Sequence, residues 1–244
     1  YKVPLPFAAG SEGAGEVIAV GPDVTEFKVG DRGAYAGAIG GYADERLMPA
    51  DRLVKIPDSI DYNTAAAMML QGMTVRYLLR QTYKVGPGTT LLLHAAAGGI
   101  GLIACQWAKH LGATIIGTAS TSDKMELAKA HGATHMINYK TEDWVKRVKE
   151  LTNGAGVDVV YDAVGKDTYP GSLDCLKPLG LWVSFGNASG AITNFDILAL
   201  SNKGSLYATR PTLGTYVAKR ADLLANANDL IDVISKGVVK INVN

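Results

Sequence analysis

The chain has 244 residues, 48% of them hydrophobic and 19% charged, with a formal net charge of +1. Such a chain has room for one or two globular domains with a real buried core. The balance offers no basic surface for nucleic acid or an anionic membrane, and no apolar run approaches the length of a transmembrane helix.

In chain order, the first 57 residues are glycine-rich with short β-like runs at 15–20, 32–35 and 53–56. Turn signals at Gly21-Pro22-Asp23, Gly30-Asp31 and Gly40-Gly41 separate them, which predicts a small antiparallel β region. Helical patterns follow at 62–69 and 74–83, and Gly86-Pro87-Gly88 closes the second. From Thr89 onward strands and helices alternate. Strands are expected at 90–94, 114–118, 135–138, 157–162, 181–185 and 205–209, with helices near 99–111, 122–131, 141–152, 168–177 and 195–202. Runs such as Val157-Asp158-Val159-Val160-Tyr161 suit a parallel sheet covered on both faces. The expectation is an α/β protein with a doubly wound Rossmann sheet. A last helix over 220–236 repeats Leu223, Leu224, Ala227, Leu230, Ile231 and Ile234 on one face. Val238-Val239-Lys240-Ile241 then reads as a strand returning to the first region. Cys105 and Cys175 are expected in helices, as buried small hydrophobes of a reducing, cytoplasmic compartment. The chain begins without Met and ends as a strand is expected to start, so it reads as part of a longer protein.

The densest signal lies at 89–113. Ala95, Gly98 and Gly101 keep the spacing of the dinucleotide fingerprint, with alanine in place of its first glycine. Small residues there permit the tight strand-to-helix turn, close approach of backbone to a pyrophosphate, and close helix–sheet packing. By itself the pattern also suits any tight βα turn; the flanking strand and helix point to a cofactor. Ala97, Gly98, Gly99 and Ile100 are the expected pyrophosphate turn, facing phosphate through N–H groups at a helix start. At the end of the second strand, Gly117-Thr118-Ala119-Ser120-Thr121-Ser122-Asp123-Lys124 places no acid at the tip. A carboxylate there would repel a 2′-phosphate, whereas Ser120, Thr121 and Lys124 would bind one, which favours NADP(H) over NAD(H). The alternative is that Ser122 and Asp123 cap the next helix and Lys124 is merely solvated. Phe185, Gly186 and Asn187 end the fifth strand, at the edge where open α/β sheets bind ligands. Arg210 follows the sixth strand and would reach cofactor or substrate, or pair with a carboxylate between domains.

Seven segments together resemble the quinone oxidoreductase (zeta-crystallin-like) branch of the medium-chain dehydrogenase/reductase superfamily. They are Gly10-Ser11-Glu12-Gly13-Ala14-Gly15-Glu16-Val17, Val29-Gly30-Asp31-Arg32, His94-Ala95-Ala96-Ala97-Gly98-Gly99-Ile100-Gly101, Ile137-Asn138-Tyr139, Val160-Tyr161-Asp162-Ala163-Val164-Gly165, Ser184-Phe185-Gly186-Asn187 and Thr209-Arg210-Pro211. The resemblance implies a partial GroES-like β-rich catalytic domain at 1–72, a Rossmann NADP(H)-binding domain at 73–210, and a return to the catalytic domain at 211–244. It implies a cleft holding NADPH and a quinone, with Tyr1 at the mouth of the substrate pocket, Thr74 near the nicotinamide and Tyr139 flanking the adenine. A homodimer through edge strands near 205–209 follows from the same likeness.

The resemblance also implies zinc independence. Zinc-dependent relatives read Gly-His-Glu where this chain has Gly10-Ser11-Glu12, and carry a cysteine in the segment matching Leu70-Gln71-Gly72. A catalytic zinc needs three His, Cys or carboxylate ligands. His94, His110, His131 and His135 show no ligand spacing, so no metal is expected. A quinone or conjugated enone accepts hydride without a Lewis acid, because its conjugated oxygens take the charge. No Ser-Tyr-Lys or His-Asp constellation stands out, and no catalytic residue is nominated; Tyr1 and Tyr42 are candidates by position alone. The leading expectation is an NADPH-dependent quinone reductase. An enone or alkenal double-bond reductase, or a non-enzymatic NADPH- or RNA-binding crystallin-like protein, remain the alternatives, and the near-neutral charge weighs against nucleic acid.

Overall fold

The glycine-rich start of the chain forms β1 (Glu12–Glu16), β2 (Arg32–Ala36) and the two-residue β3 (Val54–Lys55), an antiparallel sheet in the order β1-β2-β3. These are features of a computed structural model that describes residues 5–37 and 39–243. Gly13 sits over the Tyr35 ring, where a Cβ would meet the phenol oxygen at 2.8 Å, so β1 can lie close to β2 only without a side chain there. The strand expected at 15–20 begins three residues earlier and ends at Glu16. Beyond it only Val17 keeps pairing, to Asp31 and Gly30. Asp61 then accepts from the Thr64 N–H and starts α1 (Tyr62–Tyr77). The two helices expected at 62–69 and 74–83 are this one helix, followed by a π turn at Leu78–Thr82. Gly72 stays inside it despite a cost of about 1 kcal/mol, because a Cβ there would strike Leu230 at 2.5 Å.

The chain divides into two units, 1–76 with 213–244, and 77–212. The second unit alternates β4 (Thr90–Leu93), α2 (Gly99–His110), β5 (Thr114–Ala119), α3 (Ser122–Ala130), β6 (His135–Asn138), α4 (Trp144–Leu151), β7 (Val157–Asp162), α5 (Gly171–Asp174), β8 (Leu176–Ser184), α6 (Leu198–Asn202) and β9 (Tyr207–Thr209). All six strands pair in parallel, in the order β6-β5-β4-β7-β8-β9. The apolar runs are the core: Leu91, Leu92, Ile115, Ile116, Ile137, Val157, Val159 and Val160 are all 1% exposed or less. Strand order reverses between β4 and β7, and an open α/β sheet opens its ligand crevice at the carboxyl ends beside such a switch.

Several boundaries shift by two or three residues, α4, α6 and β9 starting later than expected, and the largest change is at α5 and β8. The helix expected at 168–177 shrinks to α5, and β8 begins at Leu176 rather than 181. Leu176 pairs with Val157, whose N–H donates to the Cys175 carbonyl. Those ladder bonds draw 175–177 out of the helix, so Cys175 closes α5 rather than sitting within it, while Cys105 does lie in α2. Both are buried free thiols.

The closing stretch of the first unit holds α7 (Leu213–Tyr216) and α8 (Arg220–Ser235). Leu223, Ala227, Leu230 and Val233 are its buried face, and the buried Asn226 amide donates to the Met73 carbonyl in α1. Arg76 of α1 pairs with Asp229 at 2.7 Å. The strand expected at 238–241 is not formed: Val238 and Val239 turn back and donate to the Val233 carbonyl at the end of α8. Among the described residues no helix is long and apolar enough to cross a membrane.

Candidate cofactor site

Beyond Leu93 the chain turns through 94–98 into α2. Ala95 takes φ +54°, the left-handed conformation that the first glycine of a fingerprint would adopt freely. An L side chain there costs about 1–2 kcal/mol. The Ala96 N–H donates to the Thr118 carbonyl and the Gly98 N–H to that of Ala95. Gly117 on β5 makes room, since a Cβ there would sit 2.7 Å from that of Ala96. Gly98 is the N-cap of α2 and no side chain caps it, which leaves the N–H groups of a helix start to a ligand or solvent.

A cavity of about 420 Å³ opens beside this turn. His94, Ala95, Ala97 and Gly98 form one wall; Thr118, Ala119, Ser120 and Lys124 come from the end of β5 and the start of α3. Tyr139 and Trp144 contribute aromatic surface, and Val164, Asp167, Thr168, Ala188 and Ser189 come from the loops after β7 and β8. Of the residues singled out in the sequence, Ala97, Gly98, Ser120, Lys124 and Tyr139 therefore meet in one cavity. Among the described residues Lys124 makes no ion pair.

The others lie elsewhere. Gly99 and Ile100 open α2. Thr121, rather than Ser122 or Asp123, caps α3 by accepting from the Lys124 N–H at 3.3 Å. Phe185 and Gly186 N–H groups both donate to the Asp162 carbonyl, and Asn187 follows them in the exposed loop. Arg210, left open between ligand and carboxylate, donates instead to the Ser184 and Gly186 carbonyls at 2.8 and 3.0 Å. Thr74 is buried in α1 of the first unit. Tyr1 lies outside the described residues, and Tyr42 is 82% exposed.

Sequence reading found no His–Asp constellation, yet the fold builds one. Asp162, fully buried at the end of β7, accepts from the Val164 and Gly165 N–H groups, the Thr168 and Ser172 hydroxyls and the Trp182 indole. Five neutral donors replace the water that a buried carboxylate would otherwise lose. Ser172 Oγ lies 3.1 Å from His94 Nε2, and Thr118 Oγ1 lies 3.1 Å from Nδ1. Trp144 meets the imidazole edge-on at 4.9 Å. Burial holds His94 down at about 4, against the opposing pull of the Asp162 carboxylate. This is no nucleophilic triad: Ser172 is fully buried and its hydroxyl is committed to the carboxylate.

In the first unit, the residues matching zinc-ligand positions are Ser11 and Gln71. Glu12 accepts from the Leu70 N–H at 2.9 Å, and burial raises its carboxyl above the usual value against that hydrogen bond. Among the described residues, no three His, Cys, Asp or Glu side chains converge.

A doubly wound sheet whose switch-point turn carries the modified fingerprint defines a dinucleotide-binding dehydrogenase or reductase unit. The alcohol dehydrogenase GroES-like domain matches residues 1–58 and the zinc-binding dehydrogenase family matches residues 99–230. The chain is 54% identical, over its whole length and 76% of the relative, to a quinone oxidoreductase of Pseudomonas aeruginosa. Over 96% of its length and 72% of the relative it is 47% identical to the 2-haloacrylate reductase of a Burkholderia species. The crystal structure of Escherichia coli quinone oxidoreductase complexed with NADPH superposes with a TM-score of 0.97 at 50% identity, covering 100% of this chain and 76% of that one. The chain belongs to the quinone oxidoreductase family of the medium-chain dehydrogenase/reductase superfamily.

Proposed function

We propose that this protein is an NADPH-dependent quinone reductase that works without zinc. The observation that carries the reading is the meeting of Ser120 and Lys124 with the Ala95–Gly98 turn in one cavity, with no carboxylate at the tip of β5. The turn fits a pyrophosphate, since small residues and an uncapped helix start leave backbone N–H groups for it. Ser120 and Lys124 would hold the 2′-phosphate through a hydroxyl and an ammonium, with Thr121 beside them, and Tyr139 would flank the adenine. Gly99 and Ile100 would continue the phosphate turn. Thr74, Phe185, Gly186, Asn187 and Arg210 complete the proposed cofactor set, Arg210 by holding the end of β8. The likeness to an E. coli enzyme crystallised with NADPH supports the same reading.

When bound, NADPH supplies two electrons and a proton as a hydride equivalent. The protein's own part is to bind and orient both partners and exclude water, which suffices for an acceptor that stabilises its own charge. The second proton of the hydroquinone comes from solvent or a nearby hydroxyl. Zinc independence rests on Ser11 and Gln71, neither of which is a good zinc ligand, although one matched family is described as zinc-binding. A second reading, reduction of a conjugated carbon–carbon double bond, is favoured by the 47% identity to 2-haloacrylate reductase. We read the assembly as a homodimer through the β9 edge, where Tyr207 is 61% exposed, and the location as cytoplasmic, which suits two buried free thiols.

The test is NADPH oxidation by 1,4-benzoquinone and by 2-chloroacrylate, each with and without a metal chelator. Quinone turnover indifferent to the chelator is the expected result. No turnover with several quinones would overturn the proposal, and turnover with 2-chloroacrylate alone would move it to the second reading.

A further inference from the structure

The buried constellation around Asp162 is not needed to touch a substrate, and its hydrogen bonds run in one direction. Ser172 donates to Asp162 at 2.9 Å, so its oxygen accepts from His94 Nε2 at 3.1 Å. That assigns the imidazole proton to Nε2 and leaves Nδ1 to accept from Thr118 at 3.1 Å. Each member has one arrangement in which all are satisfied. The two ends of the chain belong to different walls of the same cavity. Thr118 and His94 line it beside the phosphate turn. Asp162 collects Val164, Gly165 and Thr168 from the loop after β7, and Val164 and Thr168 line the cavity from that side.

We propose that Thr118, His94, Ser172 and Asp162 are positioning residues for the dinucleotide cavity, coupling the loop after β7 to the phosphate turn so that cofactor affinity depends on the intact chain of hydrogen bonds. The inference rests on reading that cavity as the NADPH site. A wall held in one position keeps the whole population competent to bind; a wall that samples several positions weakens the apparent affinity by the competent fraction. Thr118→Val keeps the shape but strands His94 Nδ1, and Ser172→Ala strands Nε2–H and takes one donor from Asp162 Oδ2, which keeps Thr168 and Trp182.

The test is a fluorescence titration with NADPH of the wild type, Thr118→Val, Thr118→Ser, Ser172→Ala and Lys124→Ala, with steady-state kinetics and unfolding midpoints on the same preparations. Thr118→Val and Ser172→Ala are expected to raise Kd and the KM for NADPH about tenfold, the size of effect that leaving a buried polar group unpaired produces. The change falls on KM rather than kcat, and Thr118→Ser, which restores the hydroxyl, recovers the affinity. Folded variants that bind as the wild type does, or that lose kcat at unaltered KM, would overturn the inference alone, provided Lys124→Ala weakens NADPH binding. Failure of both variants to fold would also overturn it, because the chain would then serve stability at large. A wild type that binds no NADPH, or a Lys124→Ala that binds as tightly, would overturn the reading of the site and the inference with it.

Discussion

Gly101 of α2 lies directly against Ala95: a Cβ on Gly101 would meet the Ala95 carbonyl oxygen at 2.6 Å and that of Ala96 at 2.5 Å. Both obstacles are backbone, so no side chain can swing away. Gly101→Ala is therefore expected to shift the 95–98 turn, cost about 1–3 kcal/mol of stability and weaken NADPH binding with it. Thermal unfolding and an NADPH titration read both effects; an unchanged midpoint would show that the turn tolerates the methyl group.

Asp162→Asn tests the acceptor at the centre of the buried cluster. The carboxylate receives five donors, and an amide turns one oxygen into a further donor facing them. A loss of about 3 kcal/mol follows from stranding buried donors of a charged acceptor. Urea unfolding measures it, and a loss below about 1 kcal/mol would mean that the loop rearranges freely.

His94 makes part of the stability depend on pH. Its imidazole takes up a proton near 6.5 in the unfolded chain and near 4 in the fold, because burial penalises the charged form. Between those values the unfolded state binds more protons, so this contribution is whole above 6.5 and is lost as pH falls toward 4. The loss reaches about 2 kcal/mol by pH 5. The groups facing the ring are Asp162 through Ser172, Thr118 from β5 and Trp144 from α4, while Lys124, Asp167 and Tyr139 share the cavity. Unfolding midpoints of the wild type and His94→Gln, compared from pH 7 to pH 5, should converge as pH falls. Parallel pH profiles would show that His94 is not the group that titrates.

The alternation of strand and helix from Thr90 to Thr209 was legible because apolar runs such as 91–93 and 157–161 have the composition of a doubly covered parallel sheet. The turn at 95–98, with Ser120 and Lys124 nearby in the fold, was legible because the chemistry is encoded at short spacing. What escaped is non-local. Leu176 reads as helix until Val157 offers it a ladder, and 238–241 reads as strand until its N–H groups find the end of α8. The members of the buried chain are 24, 78 and 10 positions apart, on β5, the turn after β4, α5 and β7, and no spacing rule joins them. Arg210 was visible as a charge, but only the fold shows that the Ser184 and Gly186 carbonyls take it.

The most direct measurement is a side-by-side fluorescence titration of the protein with NADPH and NADH, repeated on Lys124→Ala. The expected result is NADPH binding at least about tenfold tighter than NADH, the ~1.4 kcal/mol that charge-assisted contacts to one 2′-phosphate supply, with the preference lost in Lys124→Ala. Equal affinity for the two dinucleotides, or a preference that survives Lys124→Ala, would contradict the account.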